Sequence, residues 1–249
     1  MRKFIRNILN KYNYDIVKLK WEYKFGTRTQ ENIEALRNEF LWLVKYDFKT
    51  IVDVGANEGQ FSEKARTLFP NAAIYAFEPL PDSFQKLQTN FTGDNLFHGF
   101  KMGVGDNKSS QQIHLNESSA SSSLLPMGNL HKQVFEEAQE IKSIEINIDT
   151  LDNLLSAQDL QLPLLLKVDV QGYEDKVLRG ATNILSIAQV IIIELTFKEL
   201  YNGQPLFDDI YKTLTGYGYR FYGVIEQLTN PKTNEILQAD GVFIKDILQ

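Results

Sequence analysis

The sequence lacks cysteine altogether. This absence excludes a disulfide framework, a thiolate nucleophile, a zinc ribbon and an iron–sulfur site. The three histidines lie in different segments and form no H-E-x-x-H spacing, so we expect no metal site built from histidine. No apolar run approaches the roughly 18 residues that cross a bilayer. We therefore expect a soluble, cytoplasmic protein and assign no metal-binding residues to it.

Positive charge is scarce outside the N-terminus. The chain has 26 basic and 32 acidic residues, a net charge of −6 and a pI near 5.2, which argues against broad binding to nucleic acid. Residues 1–24 instead hold seven basic and two acidic side chains. The pairs Phe4-Ile5 and Ile8-Leu9 predict a short amphipathic helix with too little apolar sequence for a signal peptide. This helix either docks on the acidic body or makes weak contact with an anionic membrane surface.

Predicted strands and helices alternate along most of the chain, whose composition, 43% hydrophobic and 23% charged, is that of a globular protein. Short apolar runs predict strands at 50–54, 73–77, 96–104, 163–170, 189–195, 219–226 and 241–245. Amphipathic segments predict helices at 30–46, 60–69, 174–187 and 206–215, and one that opens at Pro81. This alternation predicts an α/β fold with a doubly wound, mostly parallel sheet and an antiparallel terminal hairpin. We divide the chain into a basic N-terminal helical extension, 1–47, and a single domain, 48–249.

Residues 111–148 interrupt the alternation. Segments 111–115 and 143–148 alternate apolar with polar side chains, which is typical of half-exposed strands and predicts a side ribbon. Between them lie a serine-rich run at 118–123 and a helix predicted at 128–140. Small polar side chains cannot pack a core, so the serine run is either a plain flexible loop or a lid that orders over bound ligands.

Acidic residues close or directly follow five of the predicted strands: Asp53, Glu78, Asp106, Asp169 and Glu194. Ligands of doubly wound sheets bind beyond the carboxyl ends of the strands. Five carboxylates that converge there repel one another unless a ligand with cationic and hydroxyl groups binds them. The alternative is that these acids cap helices or lie in solvated loops.

The loop D-V-G-A-N-E-G at 53–59 lies between a predicted strand and a predicted helix. Gly55 and Gly59 permit a sharp turn, but their G-x-x-x-G spacing is not the G-x-G-x-x-G of a dinucleotide site. The loop is too acidic for a pyrophosphate and suits a zwitterion, whose carboxylate lies on the loop amides and whose ammonium faces Asp53. Glu78 is placed to accept two hydrogen bonds from a ribose diol. An amino-acid end plus a ribose describes S-adenosylmethionine.

Four ordered motifs resemble those of the FkbM-type methyltransferases. They are D-V-G-A-N-E-G at 53–59, A-F-E-P at 76–79, G-V-G-D at 103–106 and K-V-D-V-Q-G-Y-E with V-L-R-G-A at 167–181. The resemblance covers roughly residues 50–195 and the terminal hairpin. The chain departs from the family pattern at Gln171, where glutamate is common, which puts in doubt any role of that glutamate as a base.

The resemblance implies a class I, Rossmann-like, S-adenosylmethionine-dependent O-methyltransferase with a seven-stranded sheet. The implied acceptor is a hydroxyl of a sugar, a glycan or a related natural product. The implied cofactor-binding residues are Asp53, Gly55, Ala56, Asn57 and Gly59 at the methionine end, Glu78 with Pro79 at the ribose, and Asp106 at the adenine. Structural alternatives are close helix–sheet packing for Gly59 and a helix cap for Asn57.

The predicted strand at 163–170 contains two charges in an apolar run. With a period of two, Lys167, Asp169 and Gln171 share one face. A charge inside a parallel sheet is unfavourable unless it is paired, so we expect Lys167 and Asp169 to pair or to meet polar ligands. Because methylation of a hydroxyl needs a base, we choose Asp169 first and Glu194 second, with Lys167 stabilising charge on the acceptor oxygen. The alternative is a purely structural ion pair.

Two other functions fit the same sequence. One is a nicotinamide-dependent oxidoreductase on a similar sheet. The other is a catalytically idle domain that binds S-adenosylmethionine, which the departure at Gln171 favours. The acids at 169 and 194 are also able to hold magnesium, but no ligand spacing requires it. Nothing in the sequence identifies the acceptor or an oligomeric state.

Overall fold

The computed structural model describes residues 34, 36, 37, 40–116, 122–134 and 140–245. Within these residues the strands are β1 (Thr50–Val54), β2 (Ala73–Phe77), β3 (Phe97–Phe100), β4 (Gly103–Val104), β5 (Ser109–Asn116), β6 (Glu140–Asp149), β7 (Leu164–Val168), β8 (Val190–Thr196), β9 (Arg220–Thr229) and β10 (Ile236–Ile244). The helices are α1 (Leu41–Val44), α2 (Gln60–Leu68), α3 (Pro81–Asn90), α4 (Asn129–Val134), α5 (Leu151–Leu154), α6 (Glu174–Arg179), α7 (Thr182–Ile187) and α8 (Phe207–Gly216).

Seven strands form one sheet in the order β3-β2-β1-β7-β8-β10-β9. The strands β1, β2, β3, β7 and β8 are parallel, whereas β10 lies antiparallel to both β8 and β9. The predicted doubly wound, mostly parallel sheet with an antiparallel terminal hairpin is therefore confirmed. The strand order reverses between β1 and β7, and in sheets of this kind a crevice opens beyond the carboxyl ends at that point.

The central strands are buried on both faces of the sheet. On one face Ile51, Leu165 and Ile192 pack with apolar residues of α1, α2 and α3. On the other face Val52 and Leu166 pack with apolar residues of α6, α7 and α8. Side chains of a strand alternate between faces, so a strand covered on both sides is mostly apolar, as β1, β7 and β8 are. Each fully buried aliphatic side chain contributes about 1.5–3 kcal/mol.

A second sheet confirms the predicted side ribbon and adds one strand to it, in the order β4-β6-β5. The strands β5 and β6 are antiparallel, and β4 joins β6 in parallel. The buried residues Ile113 of β5 and Ile146 of β6 pack with Leu80, which precedes α3. The side sheet is thereby fixed against the region that follows β2.

The strand predicted at 96–104 is wrong in its extent. The main sheet keeps only Phe97–Phe100, and the chain then turns, with the N–H of Met102 donating to the carbonyl oxygen of Phe100 at 2.9 Å. After the turn, Gly103–Val104 pairs with β6 instead. The apolar run therefore contributes one strand to each of two sheets. A continuous apolar pattern does not show that the chain changes sheet within it.

The helix predicted at 174–187 is also wrong in its extent, because it is divided into α6 and α7 near Gly180. The backbone of Gly180 lies so close to Gly105 that an added Cβ would be 2.0 Å from the Gly105 carbonyl oxygen. The carboxylate of Asp152 accepts hydrogen bonds from the N–H groups of Asn183 and Ile184, in the first turn of α7. This contact caps α7 as a separate helix.

Several predictions fall partly or wholly outside the described residues. These are the basic amphipathic helix at the N-terminus, much of the helix at 30–46, positions 118–121 of the serine run and the end of the helix at 128–140. Of the described residues before β1, Leu36, Phe40 and Leu43 pack into the core beside α2 and α3. The division into 1–47 and 48–249 stays a prediction. Across the described ranges, no helix combines the length and the apolar character needed to cross a membrane.

Candidate active site

A cavity of about 290 Å³ lies at the carboxyl ends of β1, β2 and β7, where the strand order reverses. Its wall is formed by the loop after β1, the end of β2, the loop after β7, the side sheet and parts of β9 and β10. The predicted site residues that line it are Asp53, Gly55, Ala56, Asn57, Glu78, Pro79, Lys167 and Asp169. The predicted site residues outside the wall are Gly59, Asp106 and Glu194.

The two loop glycines do different things. Gly55 has a φ of +83°, and an added Cβ would lie 1.8 Å from the backbone oxygen of Asp169. Only glycine lets the loop pass this close to the end of β7. Gly59 has a φ of +97°, and an added Cβ would meet the side chains of Leu87 and Phe91 at 2.8 Å. Gly55 therefore shapes the cavity, whereas Gly59 permits the start of α2 to pack closely against the end of α3.

The backbone N–H groups of the loop are hydrogen bonded within the protein. Those of Gly55 and Ala56 both donate to the carbonyl oxygen of Phe77, at 3.0 Å each. The N–H of Asn57 donates to the carboxylate that follows β2, at 2.9 Å, and that of Gly59 donates to the carbonyl oxygen of Ala56, at 2.8 Å. These four groups already have acceptors. The hypothesis that a ligand carboxylate lies on the loop amides stays a prediction, and these four N–H groups do not favour it.

Two buried carboxylates face the cavity from the ends of β1 and β2. Asp53 accepts a hydrogen bond from the Ser62 hydroxyl at 2.6 Å, and burial raises the pKa of Asp53 to about 6. Glu78 accepts from the N–H groups of Asn57 at 2.9 Å and Leu80 at 2.8 Å, and burial raises its pKa to about 7. A carboxylate accepts about four hydrogen bonds, so both groups keep capacity for ligand hydroxyl or ammonium groups.

Apolar side chains form another part of the cavity wall: Leu80, Met102, Val104, Ile113, Leu124 and Ile146. This wall was not predicted. The period-two alternation of β5 and β6 was the available signal, since it places Ile113 and Ile146 on the buried face of the side sheet. An apolar wall beside convergent polar groups is typical of sites for small organic ligands.

Asp106 lies outside the cavity wall. Its carboxylate forms ion pairs with Lys176, at 3.7 Å, and Arg179, at 3.3 Å, both on α6. These contacts connect the turn after β4 to α6. The predicted contact of Asp106 with adenine stays a prediction.

Lys167 joins two carboxylates at the end of β7. Its Nζ lies 3.4 Å from Asp169 Oδ2, which confirms the predicted pair, and 3.0 Å from Asp240 Oδ1. The Lys167 side chain is only 5% exposed. Burial lowers the pKa of this ammonium, but attraction to Asp169 and Asp240 outweighs burial and raises the pKa above its ordinary value. Lys167 is therefore a fixed positive charge in the site.

Gln171 connects Glu194 to this group. The Gln171 side-chain nitrogen donates to Asp169 Oδ1 at 3.0 Å and to Glu194 Oε1 at 3.1 Å. Burial, together with the charges of Asp169 and Glu174, raises the pKa of Glu194 well above its ordinary range. The face predicted to carry Lys167, Asp169 and Gln171 is thus assembled as expected. Among the described residues, no three acidic or histidine side chains are placed to hold a metal ion.

Two residues that contact Lys167 or Gln171 at this end of the cavity, Asp240 and Tyr201, were not predicted. Asp240 lies on β10 directly opposite Glu194 on β8. An aspartate inside the apolar segment 237–244 was a signal for it, since such a charge needs a partner. The Tyr201 hydroxyl donates to Gln171 Oε1 at 3.0 Å. No pattern in the sequence indicated that Tyr201 reaches the site.

The described end of the serine run lies against the same loop. The Ser123 hydroxyl donates to the carbonyl oxygen of Gln171 at 2.6 Å, and Ser122 lines the cavity. Ser123 also pairs through its backbone with His114 of β5. Positions 118–121 lie outside the described residues, so the lid hypothesis stays a prediction.

The methyltransferase FkbM domain matches residues 53–221, which is more than half of the chain. The chain belongs to the FkbM methyltransferase family. The match spans the glycine loop, the end of β2 and the whole β7 motif. The resemblance carried by the four sequence motifs is therefore confirmed, and the chain is a methyltransferase.

Individual proteins agree with this assignment. The chain is 23% identical over 189 residues to 2-O-methyltransferase NoeI of Sinorhizobium fredii, a match that covers 74% of this chain and 78% of NoeI. It is 30% identical over 167 residues to hexuronic acid methyltransferase AglP of Haloferax volcanii, covering 65% of this chain and 58% of AglP. The structure of methyltransferase FkbM from Methylobacillus flagellatus KT superposes with a TM-score of 0.51 at 13% identity, covering 98% of this chain and 70% of that one. That likeness supports the class I, Rossmann-like fold.

Proposed function

We propose that this protein transfers a methyl group from S-adenosylmethionine to a hydroxyl of a sugar, a glycan or a related natural product. The observation that carries the proposal is one cavity with two kinds of carboxylate: Glu78, held by backbone N–H groups, and Asp169, held by Lys167 and Gln171. The first suits a ribose diol and the second suits a reacting hydroxyl. The relatives named for 2-O-methylation and for hexuronic acid methylation support a sugar acceptor.

The cavity residues fit the parts of this cofactor. Glu78 would accept the ribose hydroxyls, and the apolar wall that includes Met102 and Ile113 would face the adenine. Asp53 would face the ammonium of the methionine part. Because four N–H groups of the loop already have acceptors, we assign the methionine carboxylate to Lys64, which lines the cavity and lies 2.9 Å from Glu226.

The protein's part in the reaction is to orient the acceptor, exclude water and remove a proton. When bound, S-adenosylmethionine supplies the electrophilic methyl group. Glu78 and Asp53 would hold the cofactor so that its methyl group faces the acceptor oxygen, and the electron pair of the broken carbon–sulfur bond would stay on sulfur. Asp169 accepts the hydroxyl proton, with Glu194 as the second choice. Lys167 holds Asp169 and Asp240 in place and stabilises negative charge near the acceptor oxygen.

Two assays test this function. Isothermal titration with S-adenosylhomocysteine and with NAD⁺ should give binding for the first and none for the second. A labelled-methyl assay against neutral methyl glycosides, uronic acid glycosides and lipid-linked glycans should label at least one of them. Binding of NAD⁺ alone would favour an oxidoreductase. Cofactor binding with no transfer to any hydroxyl acceptor would favour an idle binding domain.

The remaining expectations stay predictions. The cytoplasmic location, the lack of nucleic-acid binding and the weak membrane contact of the basic N-terminus rest on the sequence alone. A vesicle co-sedimentation assay with and without anionic lipid tests the membrane contact, with poly(dT) retention as the test for nucleic acid.

A further inference from the structure

Gln171 makes polar contacts through its side-chain nitrogen, its side-chain oxygen and its backbone carbonyl oxygen, which is more than a residue that only connects two elements needs. Its side-chain nitrogen donates to Asp169 and Glu194, and its side-chain oxygen accepts from Tyr201. Its carbonyl oxygen accepts from the hydroxyl of Ser123. Four contacts meet at one neutral residue, one from its own loop and three from elsewhere in the chain.

The backbone of Gln171 is strained. Its φ is +56°, in the left-handed region, where a residue with a side chain costs about 1–3 kcal/mol. Such strain persists only where the surroundings hold it, and here the hydrogen bond from the Ser123 hydroxyl to the Gln171 carbonyl oxygen does so. The conformation aims the Gln171 side chain into the cavity wall, of which it is a part.

The contacts also fix which way the amide points. Because the Tyr201 hydroxyl donates to the side-chain oxygen, the side-chain nitrogen must face Asp169 and Glu194. An amide nitrogen has two N–H groups, so it can serve both carboxylates at once. The charged and titratable groups around it are Lys167 on β7, Asp169 in the loop, Glu174 on α6, Glu194 on β8, Tyr201 after β8 and Asp240 on β10.

We propose that Gln171 is a positioning residue that holds Asp169 ready to accept the proton of the acceptor hydroxyl, by linking Asp169 to Glu194 without adding a charge. This inference rests on the proposed function. It also gives the departure from the family pattern a physical meaning. A glutamate at 171 would put three carboxylates within hydrogen-bond distance, and such a group must retain a proton. The amide donates its hydrogen bonds at any pH.

Two substitutions separate this role from simple packing. Gln171→Met keeps the length of the side chain but removes both N–H donors, and Gln171→Glu keeps the shape but adds a titrating carboxyl. The exposed Gln88 on α3 provides the matched control, Gln88→Glu. The measurements are the affinity for S-adenosylhomocysteine, the melting temperature, ¹³C NMR titration of the Glu194 carboxyl, and turnover as a function of pH.

In Gln171→Met we expect the Glu194 titration midpoint to move up by about one pH unit, because a donor to the ionised form is lost. Turnover should fall about tenfold or more, with unchanged affinity for S-adenosylhomocysteine. In Gln171→Glu the Glu194 midpoint should rise further, and the acid limb of the turnover profile should move to higher pH. Gln88→Glu should match the wild type in all four measurements.

The proposal is overturned if Gln171→Met leaves the Glu194 titration and the turnover profile as in the wild type. It is also overturned if melting temperature and cofactor affinity fall while the Glu194 midpoint stays fixed, since this is the signature of a packing role. The NMR titration needs no acceptor, so it tests the link between Gln171 and Glu194 even before an acceptor is known, and the turnover profile tests the effect on Asp169. A wild-type protein that transfers no methyl group would instead contradict the proposed function.

Discussion

On the β1–β2 side of the cavity, each carboxylate is fixed by groups close to it in the chain. The partner of Asp53 is nine residues away, and those of Glu78 are two and 21 residues away. On the β7–β10 side Lys167 and Gln171 each contact Asp169, two residues away, but they also contact residues of later strands, Asp240 at 73 residues from Lys167 and Glu194 at 23 residues from Gln171. The first side is built by a strand, its loop and the next strand. The second requires the completed sheet, including its last inserted strand.

The two sides also differ in how charge is balanced. On the β1–β2 side the hydrogen-bond donors are neutral, and burial raises the pKa values of Asp53 and Glu78 to about 6 and about 7. On the β7–β10 side a buried ammonium and an amide serve three carboxylates. This difference supports the division proposed above, in which the first side would bind the cofactor and the second would remove the proton.

The largest expected effect is that of Asp169→Asn. Asparagine keeps the size of the side chain but cannot accept a proton, so turnover should fall by about 10³-fold. Affinity for S-adenosylhomocysteine, measured by titration calorimetry, should stay within about threefold. The exposed Asp82 on α3 gives a control, Asp82→Asn, that should change neither quantity. Near-full activity of Asp169→Asn would remove Asp169 from the reaction.

Gly55→Ala should break the contact between the two sides. The new Cβ would lie 1.8 Å from the Asp169 backbone oxygen in a left-handed residue, so we expect a loss of about 3 kcal/mol in the free energy of unfolding. Gly93 has a similar φ, +84°, but open space around it, so Gly93→Ala should lose only about 1 kcal/mol. Urea unfolding of both variants measures the difference. Equal losses would show that the close approach to Asp169 is unimportant.

Glu78→Gln tests the β1–β2 side of the cavity, to which cofactor binding is assigned. Removing the charge that would accept two ribose hydroxyls should weaken binding of S-adenosylhomocysteine by about 10- to 100-fold. Turnover at saturating cofactor should change by less than about threefold, because the base is untouched. Calorimetry and the labelled-methyl assay give the two numbers. A variant that binds normally but fails to turn over would reverse the assignment of the sides.

The smallest effect is the pH dependence of stability that Glu78 contributes. Burial raises its pKa from 4.5 to about 7, so between these values the folded protein binds more protons than the unfolded chain. Stability therefore falls as pH rises through this window, by about 1 kcal/mol per pH unit from this one group. The difference in unfolding free energy between wild type and Glu78→Gln should show this slope from pH 5 to pH 7. A difference that is flat with pH would mean that Glu78 is ionised throughout.

Elements that depend on short segments were predictable from the sequence. The second strand occupies 73–77 as predicted, because an apolar run covered on both faces has few alternatives. The placement of Asp53, Glu78 and Asp169 at one edge followed from the alternation of strands and helices. The break between α6 and α7 near Gly180 did not follow from the sequence pattern, because it depends on contact with the backbone of Gly105, which is distant in the chain.

Residues that enter the site through long-range pairing were missed. Asp240 reaches Lys167 only because β10 inserts between β8 and β9 in antiparallel register, which no local pattern specifies. Tyr201 follows β8 in an irregular segment and contacts Gln171 across the fold. The use of the loop amides was also missed, since the acceptor for two of them, Phe77, lies on the next strand.

A crystal structure of the protein with S-adenosylhomocysteine tests the division of the cavity most directly. The account predicts the ribose hydroxyls on the Glu78 carboxylate, the adenine against Met102 and Ile113, and the sulfur facing Asp169. The side chains of Lys167, Gln171 and Asp240 should keep the contacts described above. A ligand bound in the reverse direction, with its ribose at Asp169 and its sulfur at Glu78, would contradict the account.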